Sequence, residues 1–126
     1  MAYGITLGSI AWTASETKNT EKKTGAITLR GSLPLGKIQV QIERSMSDTA
    51  GMVTVNVYNI SKIDGTNSRD VFLTNCTVST TVDYKAKDIE GAAYGTEATI
   101  KLGAVFAANI TGSNGAGTLY YNIFEK

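Results

Sequence analysis

The chain has 126 residues, with 12 Lys and Arg against 11 Asp and Glu and a formal net charge of +1, so it has room for one domain and offers no dominant charge to an ionic partner. With 42% hydrophobic and 18% charged residues, it lies far from the polar, highly charged compositions that stay disordered. Histidine is absent and cysteine occurs once, which removes the commonest general base, the usual zinc ligands, any internal disulfide, and Ser-His-Asp or Cys-His nucleophile systems.

The dominant periodicity along the chain is two, and 17 threonines join Val, Ile and Tyr in favouring a pleated, half-buried surface. Ile5 to Trp12 is the first candidate strand, with Gly8-Ser9 slipping the alternation by one as a bulge would. Residues Thr13 to Thr24 then carry no large apolar side chain. Ala26 to Leu33 is a second candidate. Lys37 to Arg44 alternates strictly, with Ile38, Val40 and Ile42 on one face, and Met52 to Ile60 repeats the pattern through Val53, Val55 and Val57. Ser45 to Gly51 between them reads as a hairpin loop.

Val71 to Tyr84 is long enough for two strands or one bent one, with Val78, Val82 and Tyr84 sharing a face. Lys85 to Gly95 is the one stretch suited to a helical turn. Ala98 to Phe106 alternates through Ile100, Leu102, Ala104 and Phe106, and Gly117 to Phe124 through Leu119, Tyr121 and Ile123. Asp64-Gly65-Thr66-Asn67 and Gly112 to Gly117 supply the Gly and Asn of tight turns. About eight short strands predict an all-β fold: a single antiparallel β-sandwich, jelly-roll-like, with an N-terminal arm.

The expected organisation has three parts. Residues 1–12 form a short apolar strand or arm, 13–24 a polar tether, and 25–126 the β-sandwich body. Such an arm folds back on its own body or adds to the open sheet edge of a neighbour, with Ile5, Leu7, Ile10 and Trp12 as the inserted side chains at a subunit interface. An ordinary first strand followed by a long loop is the competing expectation.

Little else carries chemistry. Lys18, Lys22 and Lys23 are diluted by Glu16 and Glu21 and read as a solvated loop, so no nucleic acid is expected as partner. No apolar run approaches the roughly 20 residues of a membrane span. The start, Met1-Ala2-Tyr3-Gly4-Ile5, lacks a charged segment followed by an apolar one, so no secretory leader is read there. There is no phosphate-binding Gly-Lys-Ser/Thr loop. Cys76 sits in a strand pattern, which suits a buried, inert thiol.

Three weaker candidates remain. Asp83 with Asp88 or Glu90, and Glu43 with Asp48, are the nearest carboxylate pairs, but they fall at strand ends and loops where charges are usually solvated. Asp64 to Asp70 places oxygen-bearing side chains near one another, as calcium prefers, yet reads more simply as a tight turn. Tyr120 and Tyr121 point to opposite faces of one strand, so at most one meets solvent, with Phe124 or Tyr58, as a platform for sugar.

Lys101 to Ile110, followed by Gly115 to Ile123, resembles the closing strands of bacterial fimbrial and spore-appendage subunits. That resemblance implies a β-sandwich that polymerises through exchanged N-terminal strands or arms. The expected function is therefore a structural, non-enzymatic subunit that assembles with copies of itself into a filament or virus particle (surface appendage, or phage coat, tail or decoration protein), without cofactors, at an extracellular surface or in a virion. The alternative is a monomeric carbohydrate- or cell-surface-binding module.

Overall fold

A computed structural model describes residues 6–12, 20–30, 37–46, 52–61, 69–79, 82–89, 93–94, 97–107 and 117–125. Among these there are ten β-segments and no helix: β1 (Thr6–Trp12), β2 (Glu21–Lys23), β3 (Ile27–Arg30), β4 (Ile38–Met46), β5 (Met52–Ser61), β6 (Arg69–Val78), β7 (Tyr84–Ile89), β8 (Ala93–Tyr94), β9 (Glu97–Ala107) and β10 (Gly117–Glu125). They form a front sheet, ordered β1-β10-β4-β7, and a back sheet, ordered β2-β9-β5-β6, with β3 and β8 also on β9.

β2 and β3 pair with successive stretches of β9. Glu21–Lys23 lies opposite Val105–Gly103, and Ile27–Arg30 opposite Ile100–Glu97. Thr24 bridges the break: its N–H donates to the Leu102 carbonyl at 2.8 Å, and its Oγ1 accepts from the Leu102 N–H at 3.1 Å. Taken as one interrupted strand, they leave nine strands in two antiparallel sheets. The chain changes sheet at six of its nine connections, staying within one only at β2–β3, β5–β6 and β8–β9. That alternation is a jelly roll.

The core lies between the sheets and is built from the alternating positions. Ile38, Val40 and Ile42 of β4, Val53, Val55 and Val57 of β5, Ile100, Leu102, Ala104 and Phe106 of β9, and Leu119 and Ile123 of β10 are all buried. Each of these strands presents its even or odd residues inward, so the side chains of the two sheets interleave, and Asn59 of β5 is buried with them.

Four expectations are corrected. β4 and β5 belong to different sheets, so Ser45 to Gly51 connects sheets and is not a hairpin loop; alternation tells which residues face inward and is silent on the strand's partner. Val71 to Tyr84 holds most of β6 and the first residue of β7, two strands as one alternative had it, but Val78, Val82 and Tyr84 do not share a face: Val78 is buried on the back sheet, whereas Val82 and Tyr84 are exposed. The segment considered for a helical turn carries β7 and β8 in its described part. Finally, β1 pairs with β10 in unbroken register from Thr6↔Ile123 to Trp12↔Gly117, without a bulge at Gly8-Ser9. The alternation looks slipped because Gly8 takes an inward position directly opposite Tyr121, whose ring fills the space that a Cβ on residue 8 would need.

Candidate functional site: the strand edges and outer sheet faces

The N-terminal strand is engaged within its own chain. β1 is the edge of the front sheet, hydrogen-bonded along β10. Ile10 is 9% and Trp12 3% exposed, and the Trp12 ring meets Phe106 edge-on at 5.4 Å and 83°. Leu7 pairs with Asn122, and Ile5 lies outside the described residues. Two of the four expected interface residues are thus core residues of the sandwich. The expected tether, of which 13–19 lies outside the described residues, ends in strand β2. Lys22, read from sequence as part of a solvated loop, donates from Nζ to the Ala11 carbonyl at 2.8 Å and stands 5.5 Å from the Trp12 ring centre, closing the side of the sandwich between β1 and β2.

The outer face of the back sheet holds a polar network that sequence reading missed. Glu21 reaches across Gly103 and accepts hydrogen bonds from Asn56 Nδ2 at 2.8 Å and the Tyr58 hydroxyl at 2.5 Å. Lys23 pairs with Asp70 at 2.9 Å and stands 4.7 Å from the Tyr58 ring centre, and Lys101 pairs with Asp70 at 3.3 Å. Burial raises the Glu21 carboxyl's affinity for its proton, but the Asn56 and Tyr58 hydrogen bonds and the Lys23 charge outweigh it and hold Glu21 below its ordinary value. The hydrogen bond from Lys23 likewise holds Asp70 low. Bonding to Glu21 raises Tyr58, and bonding to Asp70 raises Lys23. These groups are spent on one another: the network pins β2 to β9, β5 and β6.

This network engages residues of two sequence candidates. Tyr58 is not a free platform residue, since its hydroxyl is bound to Glu21 and its ring packs edge-on against Phe72 at 6.1 Å. Asp70, the last residue of the calcium candidate, is engaged by two lysines; Asp64 to Ser68 lie outside the described residues. Of the carboxylate candidates, Asp48 and Glu90 also lie outside, and Asp88 accepts a hydrogen bond from Gln39 at 2.8 Å. Cys76 is half-buried; burial pushes its thiol up, with Lys87 and Lys85 drawing it partly back.

The outer face of the front sheet is different. Register places Ser9, Tyr120, Glu43 and Tyr84 in one row across β1, β10, β4 and β7, and Asn122, Gln41 and Ala86 in the next. Tyr84 and Tyr120 are 46% and 51% exposed. A shallow groove of about 200 Å³ lies between them, over Glu43, Gln41 and Asn122. Its floor is an amide ladder: Asn122 donates to Gln41 at 3.2 Å, Gln41 to Gln39 at 3.0 Å, and Gln39 to Asp88. Tyr120 was visible in the sequence as the solvent-facing member of the Tyr120-Tyr121 pair, and Tyr121 is half-buried against the core as expected. Tyr84 and Glu43 join it only through strand register, for which the sequence holds no signal.

No protein-family model matches the sequence, and no curated protein matches it. Among solved structures, a chain from the native virion of Kashmir bee virus superposes with a TM-score of 0.56 at 12% identity, over 97% of this chain and 70% of that one. A chain from a full particle of Israeli acute paralysis virus superposes at 0.51 and 10% identity, over 97% and 70%. The Yersinia pseudotuberculosis-derived mitogen does so at 0.51 and 10% identity, over 98% of this chain and 87% of that one. At such identities the likeness is one of fold, and the fold this chain shares with them is the two-sheet antiparallel sandwich.

Proposed function

We propose that this chain is a structural, non-enzymatic subunit that assembles with copies of itself into a virus particle, and that it acts in the virion or at an extracellular surface. The observation that carries the reading is the match of nearly the whole chain to chains of two virions, in a frame whose strands all lie in two stacked sheets. The edge strand β6 adds support, because it carries Val71 and Phe72 exposed, the latter at 53%. An edge strand with apolar side chains is a ready surface for a second copy. Exchange of β1 is one form the assembly can take, since the β1–β10 pairing can form between copies as well as within one. No helix of the described residues is long and apolar enough to cross a membrane.

The test is the assembly state of the full-length protein over a range of concentrations, by light scattering and negative-stain microscopy. Closed shells or rings are the expected result. Filaments would keep self-assembly and move the reading to a surface appendage, while a monomer at every concentration would overturn it.

A further inference from the structure

We propose that the groove on the outer face of the front sheet binds a neutral saccharide, with Tyr84 and Tyr120 as its walls and Glu43 between them. The proposal goes beyond particle assembly and does not depend on it. Three features carry it.

The first is spacing. Tyr120, Glu43 and Tyr84 are direct cross-strand neighbours on β10, β4 and β7, so the two tyrosines stand two strand spacings apart, about 10 Å. Both rings are about half exposed on one face, where a sugar ring lies between or upon them with its C–H side against the aromatic surface. The second is unspent hydrogen bonding. Among the described residues Glu43, Tyr84 and Tyr120 have no side-chain hydrogen bond or ion pair, in contrast to Glu21, Asn56 and Tyr58 on the back sheet, which consume one another. Vicinal hydroxyls donate to a carboxylate and exchange hydrogen bonds with phenols.

The third is the floor. Gln41 and Asn122 hold each other in place, and Asn122 Oδ1 is buried with no hydrogen-bond partner among the described residues. A small rotation of that amide toward a ligand hydroxyl relieves it. The lone carboxylate between the walls sets the ligand class, because it repels an anionic sugar and accepts from a neutral one. Back-sheet aromatics offer no equivalent, since Tyr58 is already bound to Glu21.

The test is calorimetric titration of the full chain with soluble tetrasaccharides of glucose, galactose, mannose and N-acetylglucosamine, with sialyllactose as the anionic probe and tetramethylammonium as a cationic one. Saturable binding of at least one neutral tetrasaccharide is expected. Tyr84→Ala and Tyr120→Ala are each expected to weaken it about tenfold, Glu43→Gln severalfold, and Tyr58→Phe not at all. All three groove side chains are exposed or unpartnered, and unchanged far-ultraviolet circular dichroism confirms that each variant folds. The proposal is overturned if no neutral tetrasaccharide binds at millimolar concentration, if binding survives the Tyr84→Ala/Tyr120→Ala double variant, or if sialyllactose or tetramethylammonium binds more tightly than every neutral sugar. A chain that forms particles but binds no sugar sinks this proposal alone.

Discussion

The Glu21 carboxylate occupies the space that a Cβ at Gly103 would take, so a glycine in the middle of β9 is what allows β2 to hydrogen-bond across to β5. Glycine inside a strand normally weakens it through lost entropy and missing side-chain contact. Here the missing side chain is replaced by an acid from the neighbouring strand. Gly103→Ala is therefore expected to destabilise the protein by about 1 kcal/mol, the loss of the partly exposed Glu21 bonds outweighing the gain in strand propensity. In a Glu21→Ala background the same substitution is expected to be neutral or stabilising. A double-mutant cycle by urea unfolding reads this coupling directly.

Acid sensitivity follows from the same network. Glu21 and Asp70 are both held below their ordinary values of 4.5 and 3.8. Each therefore favours the folded state fully above its unfolded value and loses that contribution as pH falls through the lower, folded one. The melting temperature is expected to fall between about pH 5 and pH 3, and the Glu21→Gln/Asp70→Asn double variant is expected to show a shallower fall over that range. At the alkaline end the sign reverses. Tyr58 and Lys23 are raised, so their contribution is present below about pH 10 and fades as pH climbs through their folded values.

Trp12 ties the edge strand to the opposite sheet through Phe106. Trp12→Ala is expected to cost about 3–5 kcal/mol, because it opens a cavity between β1 and β9. Trp12→Phe should cost less, about 1–2 kcal/mol, since it gives up volume but also removes an indole N–H that is buried without a hydrogen-bond partner among the described residues. Equal losses in the two variants, measured by chemical denaturation, would show that ring volume is not what holds the strand.

Cys76 is expected to react slowly with a thiol reagent at neutral pH. Burial raises its thiol, and Lys87 and Lys85 only partly offset this. The rate should climb as pH approaches 9 and should jump on unfolding in urea. Fast labelling of the native chain at pH 7 would mean that the β6–β7 side of the sandwich opens readily.

The inward faces of β4, β5, β9 and β10 were legible in the sequence because burial on one side of a strand imposes a period of two. Ile38, Val40, Ile42, Val53, Val55 and Val57 are buried where alternation places them. The all-β class and the sandwich followed from the same signal, together with threonine content and turn residues. The N-terminal segment was harder. Ile10 and Trp12 read equally well as an arm or as an edge strand, since an apolar strand looks the same whether its partner belongs to its own chain or to another.

The inward facing of β4, β5, β9 and β10 and the absence of histidine chemistry are properties of local sequence, and this sequence determined them by itself. Partner choice is not local. That β4 and β5 lie in opposite sheets, that Glu21 crosses Gly103 to meet Tyr58, and that Tyr84 and Tyr120 flank Glu43 are consequences of register between strands dozens of residues apart. Period-two patterning would bury the same residues in several strand orders. The order adopted is decided by how all the inward faces pack at once, and only the tertiary structure contains that choice.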